Sequence, residues 1–289
     1  MCDTCGCNIT PGNKDTESGK AAVEVLHSLL HENDHQAAHN RQHFDQHQTL
    51  AINLMSSPGS GKTTLLEYTL DKLGDELNIA VIEGDLETEN DANRIRDKGA
   101  PAVQITTGSA CHLDAHMVHD GLHQLDLEGV DILFIENVGN LVCPASFDLG
   151  HHKNVTLLSS TEGDDKPSKY PVMFRAADLL LITKADLLAV LDDFDTDKAT
   201  ENFRQLAKQD PVITVSSKKD SGMDEWINWL KSSLVEYRED LADGKTQQPA
   251  IQPDGSALHA HNHNHDHAHQ HHHDHRHSHG HSHTHSHES

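Results

Sequence analysis

The feature that most narrows the fold is a phosphate-binding loop in its required context. An apolar run, Leu50–Met55, leads straight into Ser56-Ser57-Pro58-Gly59-Ser60-Gly61-Lys62-Thr63-Thr64, and an amphipathic stretch, Lys62–Leu73, follows. Small residues let backbone N–H groups converge on an anion, the helix N-terminus aims its positive end at the same charge, and a lysine reaches the outer phosphates. Gly59, Ser60, Gly61, Lys62, Thr63 and Thr64 supply that set, and the Thr63 hydroxyl is placed to ligate Mg²⁺. One position departs from GxxxxGK[ST]: Ser56 stands where the first glycine is usual.

The chain beyond the loop repeats its local pattern. Asn78–Glu83, Ala102–Thr106, Asp131–Glu136, Val155–Ser159, Leu179–Thr183 and Val212–Ser216 read as strands. Between them Asn90–Lys98, His112–Leu125, Lys198–Lys208 and Met223–Val235 read as helices. Such alternation predicts an α/β P-loop NTPase fold, a mostly parallel sheet flanked by helices, over residues 49–240. Residues 21–48 are expected to form a histidine-rich helix leading into it.

The two ends differ in kind. Residues 1–20 hold Cys2, Cys5 and Cys7 and then a Gly/Asn/Asp/Ser/Thr-rich linker, whose composition cannot bury enough apolar surface to order itself. Residues 241–289 form a tail in which 16 histidines lie between His259 and Ser289. Its alternation lacks apolar partners, so disorder is expected, and its imidazoles suit storage of Ni²⁺, Cu²⁺ or Zn²⁺. Acidic residues outnumber basic ones by 46 to 22, which argues against a nucleic-acid partner. Neither a membrane span nor a secretory signal is visible, and a cytoplasmic location is expected.

Two carboxylates at strand ends are candidate Mg²⁺ partners and catalytic groups, Asp85 after Val81-Ile82-Glu83-Gly84 and Glu136 after Ile132-Leu133-Phe134-Ile135. Either also suits a turn or helix cap. The base is read from Thr183-Lys184-Ala185-Asp186, close to an NKxD element. A carboxylate at Asp186 accepts hydrogen bonds from guanine N1–H and its amino group, whereas adenine would oppose it with a lone pair. Lys184 would lie along the base, and Ser216 and Ser217 resemble the backbone contact to guanine O6. GTP and GDP are therefore the expected ligands.

Soft-ligand residues form two further sets. Cys2, Cys5 and Cys7 place three thiolates within six positions, a donor set suited to Ni²⁺, Zn²⁺ or Cu⁺. Cys111 and His112 open a helical stretch, and Cys143 follows Glu136 closely enough to respond to nucleotide. A buried Cys is equally readable as a small hydrophobe. His112, His116, His119 and His123 fall within about 60° on a helical wheel, an outward stripe that could bind metal or simply be solvated. His27, His31, His35, His39, His43 and His47 recur every four residues, so neighbouring pairs can chelate although the row winds about 200° around its helix.

Several strings lie far from any generic GTPase signature: NLMSSPGSGKTTLL, VIEGDLETENDANRI, TTGSACHLDAHM, FIENVGNLVCPASFDLG and TEGDDKPSKYP. With the N-terminal CxxCGC they resemble the nickel-incorporation GTPases of [NiFe]-hydrogenase maturation, the HypB family. The resemblance implies a slow GTPase that dimerises on GTP or metal binding. It implies two partners, a small zinc-containing nickel metallochaperone and the hydrogenase large-subunit precursor. It also implies that Cys2, Cys5 and Cys7 form an N-terminal nickel site, and that Cys111, His112 and Cys143 form an internal site for Ni²⁺ or Zn²⁺. The competing readings are a urease accessory GTPase, a metal-storage protein with a structural nucleotide site, and a partitioning-type ATPase.

Overall fold

The computed structural model describes residues 17–85, 89–108, 110–207 and 210–249, with side chains from residue 30 onward. Cys2, Cys5, Cys7 and the histidine tail lie outside the described residues. In chain order the elements are α1 (Glu17–His47), β1 (Leu50–Ser56), α2 (Lys62–Leu73), β2 (Ile79–Asp85), α3 (Asn90–Asp97), β3 (Ala102–Thr106), α4 (Ala115–Leu122), β4 (Ile132–Glu136), β5 (Lys153–Ser159), α5 (Lys166–Lys169), α6 (Pro171–Arg175), β6 (Leu179–Thr183), α7 (Thr196–Arg204), β7 (Val212–Thr214) and α8 (Met223–Ala242). Helix α1 begins inside the stretch read above as a linker, and α4 is shorter than the expected His112–Leu125.

Among the described residues the strands form one sheet in the order β3-β2-β4-β1-β5-β6-β7, every pair parallel. The central strands β1 and β4 are buried along their whole length. That is why they read as near-continuous apolar runs instead of alternating, since helices cover both faces of a parallel sheet. On one face Leu65, Leu66 and Leu70 of α2 and Trp226, Leu230 and Leu234 of α8 pack on Ile52, Leu54 and Phe134. On the other, Phe44 of α1 and Val118 and Leu122 of α4 pack on Ala51, Ile82 and Ile135.

Helix α1 is a structural part of this domain. Asn33 Oδ1 accepts from Ala115 N–H at 2.9 Å, satisfying one of the orphan donors at the start of α4. Asn40 Nδ2 donates to the carbonyls of Ala115 and Leu149 at 2.8 and 3.1 Å. Arg41 meets Asp148 in a buried ion pair at 2.7 Å. These contacts fix the start of α4 and the segment after Cys143 against one rigid helix. No described helix is long and apolar enough to cross a membrane.

Candidate functional site

The loops at the C-terminal ends of the strands gather the site, as expected for an open parallel sheet. After β1 the chain turns through Gly59 (φ 75°) and Gly61 (φ 97°), left-handed conformations that side chains rarely adopt. Lys62 and Thr63 are buried at the start of α2. Ser56 explains its own departure from the usual glycine: it is buried, its hydroxyl donates to the Ser57 carbonyl at 2.7 Å, and it receives the Lys62 ammonium at 3.1 Å.

Lys62 Nζ also lies 4.0 Å from Glu136 Oε1, and the Thr63 hydroxyl donates to that same oxygen at 3.0 Å. Glu136 is not alone. Carboxylate oxygens of Glu83, Asp91 and Glu136 fall within 4.8 Å of one another. Burial pushes Glu83 up to about 8, with Glu136 the next cause, and burial pushes Glu136 up to about 7 against the pull of Lys62. Glu83 Oε2 and Glu136 Oε2 are buried without a hydrogen-bond partner. Orphaned buried oxygens beside a P-loop threonine fit a hard divalent cation such as Mg²⁺.

The two carboxylates expected at strand ends are placed differently. Glu136 joins the cluster and Asp85 does not; Asp85 sits at the half-buried end of β2, near enough to add to the upward push on Glu83. The residues that sequence reasoning missed are Glu83 and Asp91. Glu83 carried a signal, a charge embedded in the apolar run of a strand buried on both faces. Asp91 is steadied by Arg94, whose Nη1 donates to it at 2.7 Å.

Beside the P-loop lies a cavity of about 110 Å³ lined by Ser60, Thr183, Lys184, Asp186, Ser216 and Ser217 among others. Ser216 Oγ donates to Asp186 Oδ1 at 2.6 Å, and that hydrogen bond holds the Asp186 carboxyl below its ordinary value. Lys184 adopts φ 58°, a conformation uncommon outside glycine and frequent at ligand sites. Thr183, standing where asparagine was expected, donates its hydroxyl to the Ser60 carbonyl at 2.7 Å and so ties the base loop to the phosphate loop. Glu162 braces the same turn, accepting from Ser60 Oγ at 2.8 Å.

The soft-ligand trio comes together. Cys111 Sγ lies 3.1 Å from Cys143 Sγ and 3.6 Å from His112 Nδ1. Both cysteines are free thiols. Burial lowers the pKa of His112, which keeps its imidazole neutral, the ligating form, and its ring stacks on Phe147 at 4.0 Å. Thiolate and imidazole donors suit Ni²⁺ and Zn²⁺. His112 thus turns inward; the outward stripe on α4 consists of His116, His119 and His123, because the helix is capped only at Asp114.

One loop joins the two chemistries. From Glu136 the chain passes through Asn137, whose Oδ1 accepts from Leu113 N–H at 3.1 Å and Val138 N–H at 2.9 Å. Asn137 Nδ2 donates to Asn53 Oδ1 at 3.3 Å, and Asn140 Nδ2 donates to the Cys111 carbonyl at 3.2 Å. The loop then reaches Cys143 at the start of a 3₁₀ turn.

Comparison with known proteins places the chain in a family. Residues 50–214 match the family model described as CobW/HypB/UreG, nucleotide-binding domain. The chain is 51% identical over 215 residues to the hydrogenase maturation factor HypB of Escherichia coli K12, covering 74% of each chain. Among solved structures it is similar to HypB from Helicobacter pylori in complex with nickel, with 41% identity, TM-score 0.69, and coverage of 76% of this chain and 100% of the other. It is also similar to the hydrogenase maturation factor HypB from Archaeoglobus fulgidus, with 40% identity, TM-score 0.67, and coverage of 71% and 100%.

Proposed function

Because the chain belongs to the CobW/HypB/UreG nucleotide-binding family, and within it to the hydrogenase maturation factors HypB, we propose that it is a GTP-hydrolysing nickel chaperone whose grip on its cargo follows its nucleotide. The observation that carries this reading is the shared loop. Glu136 at one end meets the P-loop threonine, and Cys143 at the other faces Cys111 across 3.1 Å.

GTP would lay its guanine against Asp186 and Lys184 and its phosphates along Gly59–Thr64. Bound Mg²⁺, held by Thr63, Glu136 and their neighbours Glu83 and Asp91, would neutralise charge on the outer phosphates. Lys62 leaves its resting contact with Ser56 to pair with the γ-phosphate oxygens, where charge accumulates as water displaces GDP. Loss of that phosphate removes the partner of Lys62 and relaxes the start of the loop that ends at Cys143. Intrinsic turnover is slow and acts as a timer.

Nickel is the cargo at Cys111, His112 and Cys143, with Zn²⁺ as competitor, and the N-terminal Cys2, Cys5 and Cys7 form a second loading site. The recipient is the [NiFe]-hydrogenase large-subunit precursor, reached with a small zinc-containing nickel metallochaperone. Val142, apolar and exposed beside Cys143, supports a second copy closing over the site when nucleotide or metal binds. Two free thiols this close also fit a reducing, cytoplasmic setting.

The test is a nickel titration of the full chain and of Cys111→Ala, each with GDP and with a non-hydrolysable GTP analogue. The expected result is an internal site whose affinity differs between the two nucleotides and which Cys111→Ala abolishes. Affinity indifferent to nucleotide would return the protein to a metal store with a structural nucleotide.

A further inference from the structure

We propose a separate metal site built of imidazoles alone, where α1 crosses α4, formed by His119 and His123 with His39 and His43 alongside. It takes a late first-row divalent ion, and it stands independently of the GTPase reading.

His119 and His123 are one helical turn apart on α4, and their Nε2 atoms lie 3.2 Å from each other. Two imidazole nitrogens bound at 2.0–2.1 Å to one ion sit about 2.9 Å apart at a right angle and about 3.3 Å apart at the tetrahedral angle. The observed spacing falls between these limits, so an ion can bridge the pair with little rotation of either ring. The rings already face each other edge to face, with centroids 4.6 Å apart.

Helix α1 brings two more imidazoles beside the pair, which would reach the ion by rotating their rings. The His39 ring meets His119 edge-on at 5.2 Å between centroids. One turn later His43 packs against His47 at 4.7 Å, close enough to His39, His119 and His123 for their charges to be felt on its ring. The scaffold under them is fixed, since Asn33 and Asn40 hydrogen-bond to Ala115 and the buried Ala37 and Phe44 anchor α1. That packing fixes the backbone positions from which these histidines reach, which lowers the ordering cost of holding an ion. His123 and His39 are exposed and His119 is half-buried, so an ion can enter. The row that winds around α1 therefore contributes only the members that α4 opposes.

The test is site-resolved carbethoxylation of the full chain, read by mass spectrometry, during titration with Ni²⁺ alone or Zn²⁺ alone to an excess over all 28 histidines. Metal-bound imidazoles are shielded from the reagent, and each histidine reports for itself whatever the tail binds. His119, His123 and His39 should gain protection together, and the ion with the lower midpoint is the preferred one. His123→Gln, an exposed substitution, should raise the midpoint at His119 by at least about tenfold, the lower bound for losing even a supporting group of a metal site. Cys111→Ala should leave these midpoints unchanged. Labelling of His119 and His123 that neither ion alters, or protection of His119 that survives His123→Gln, would overturn the site and leave only a ring-to-ring hydrogen bond.

Discussion

Gly139 lies directly on Pro58: a Cβ at position 139 would come within 2.8 Å of Pro58 Cα and 2.9 Å of its nitrogen. The loop that carries Cys143 thus rests on the backbone of the phosphate loop, with no side chain between them. A shift of the P-loop on gaining or losing a phosphate would meet the Cys143 loop as a hard contact.

Gly139→Ala should break this contact without touching a ligand of either site. The added methyl collides with backbone, so one loop must move, at a cost of about 1–3 kcal/mol typical of overpacking. Coupled sites share such a cost, so GDP affinity should fall by roughly 5- to 150-fold and the difference in nickel affinity between GDP and a GTP analogue should shrink. Isothermal titration with each nucleotide, followed by nickel competition, measures both. Wild-type coupling in the variant would show that the contact transmits nothing.

Asp186→Asn tests the base. The carboxylate, whose ionised form is favoured by the Ser216 hydrogen bond, would accept two hydrogen bonds from guanine, whereas an amide would offer a donor to one of those groups instead. GDP binding should weaken by roughly 100-fold or more, the scale expected when buried polar groups lose their partners. Xanthosine diphosphate, which carries a carbonyl where guanine has its amino group, should gain. Competition against a fluorescent nucleotide reads both, and equal loss for the two bases would point to a misfolded loop.

Glu83→Gln and Asp85→Asn separate the buried cluster from the strand end. Glu83 shares the 4.8 Å group with Asp91 and Glu136, so its amide should raise the Mg²⁺ concentration needed for half-maximal GTP hydrolysis, while Asp85→Asn should change it little. Hydrolysis measured across a magnesium series decides, and the opposite ranking would favour Asp85 over Glu83.

The contrast shows which parts of the site the sequence exposes. Lys62, Thr63 and Asp186 are legible because each belongs to a contiguous motif whose geometry is local. Glu83 is not, because its role depends on register: it stands directly opposite Glu136 across the parallel β2–β4 pair, a pairing that no short-range pattern encodes. His112 misleads for a related reason. Periodicity assigns it to the α4 stripe, but the Asp114 side chain caps the helix by accepting from Met117 N–H at 2.8 Å, so His112 precedes the helix and escapes its phase. Helix α1 reads as an appendage from its histidines, while the residues that weld it to the domain are the inconspicuous Asn33, Asn40 and Arg41.

Acid stability tests that weld. His151 is buried beside the Arg41–Asp148 pair, its Nδ1 3.8 Å from Asp148 Oδ1, and burial pushes its pKa down from 6.5 to about 4 against the opposing pull of Asp148. Between pH 6.5 and 4 the unfolded chain therefore holds a proton at this site that the folded chain lacks, and stability falls as pH drops through that window. A shift of this size corresponds to about 3 kcal/mol when complete. His152, also lowered by burial, acts in the same sense, whereas Asp178, raised by burial to about 6, acts in the opposite one. The informative quantity is accordingly the difference between wild type and His151→Asn in urea-unfolding free energy, measured on nucleotide-free protein from pH 7.5 to 4.5. The variant should be less stable than wild type at neutral pH and should lose less on acidification, so the two curves converge as pH falls. Parallel curves would mean that His151 does not titrate in this range and that the α1 contact owes its acid sensitivity to other groups.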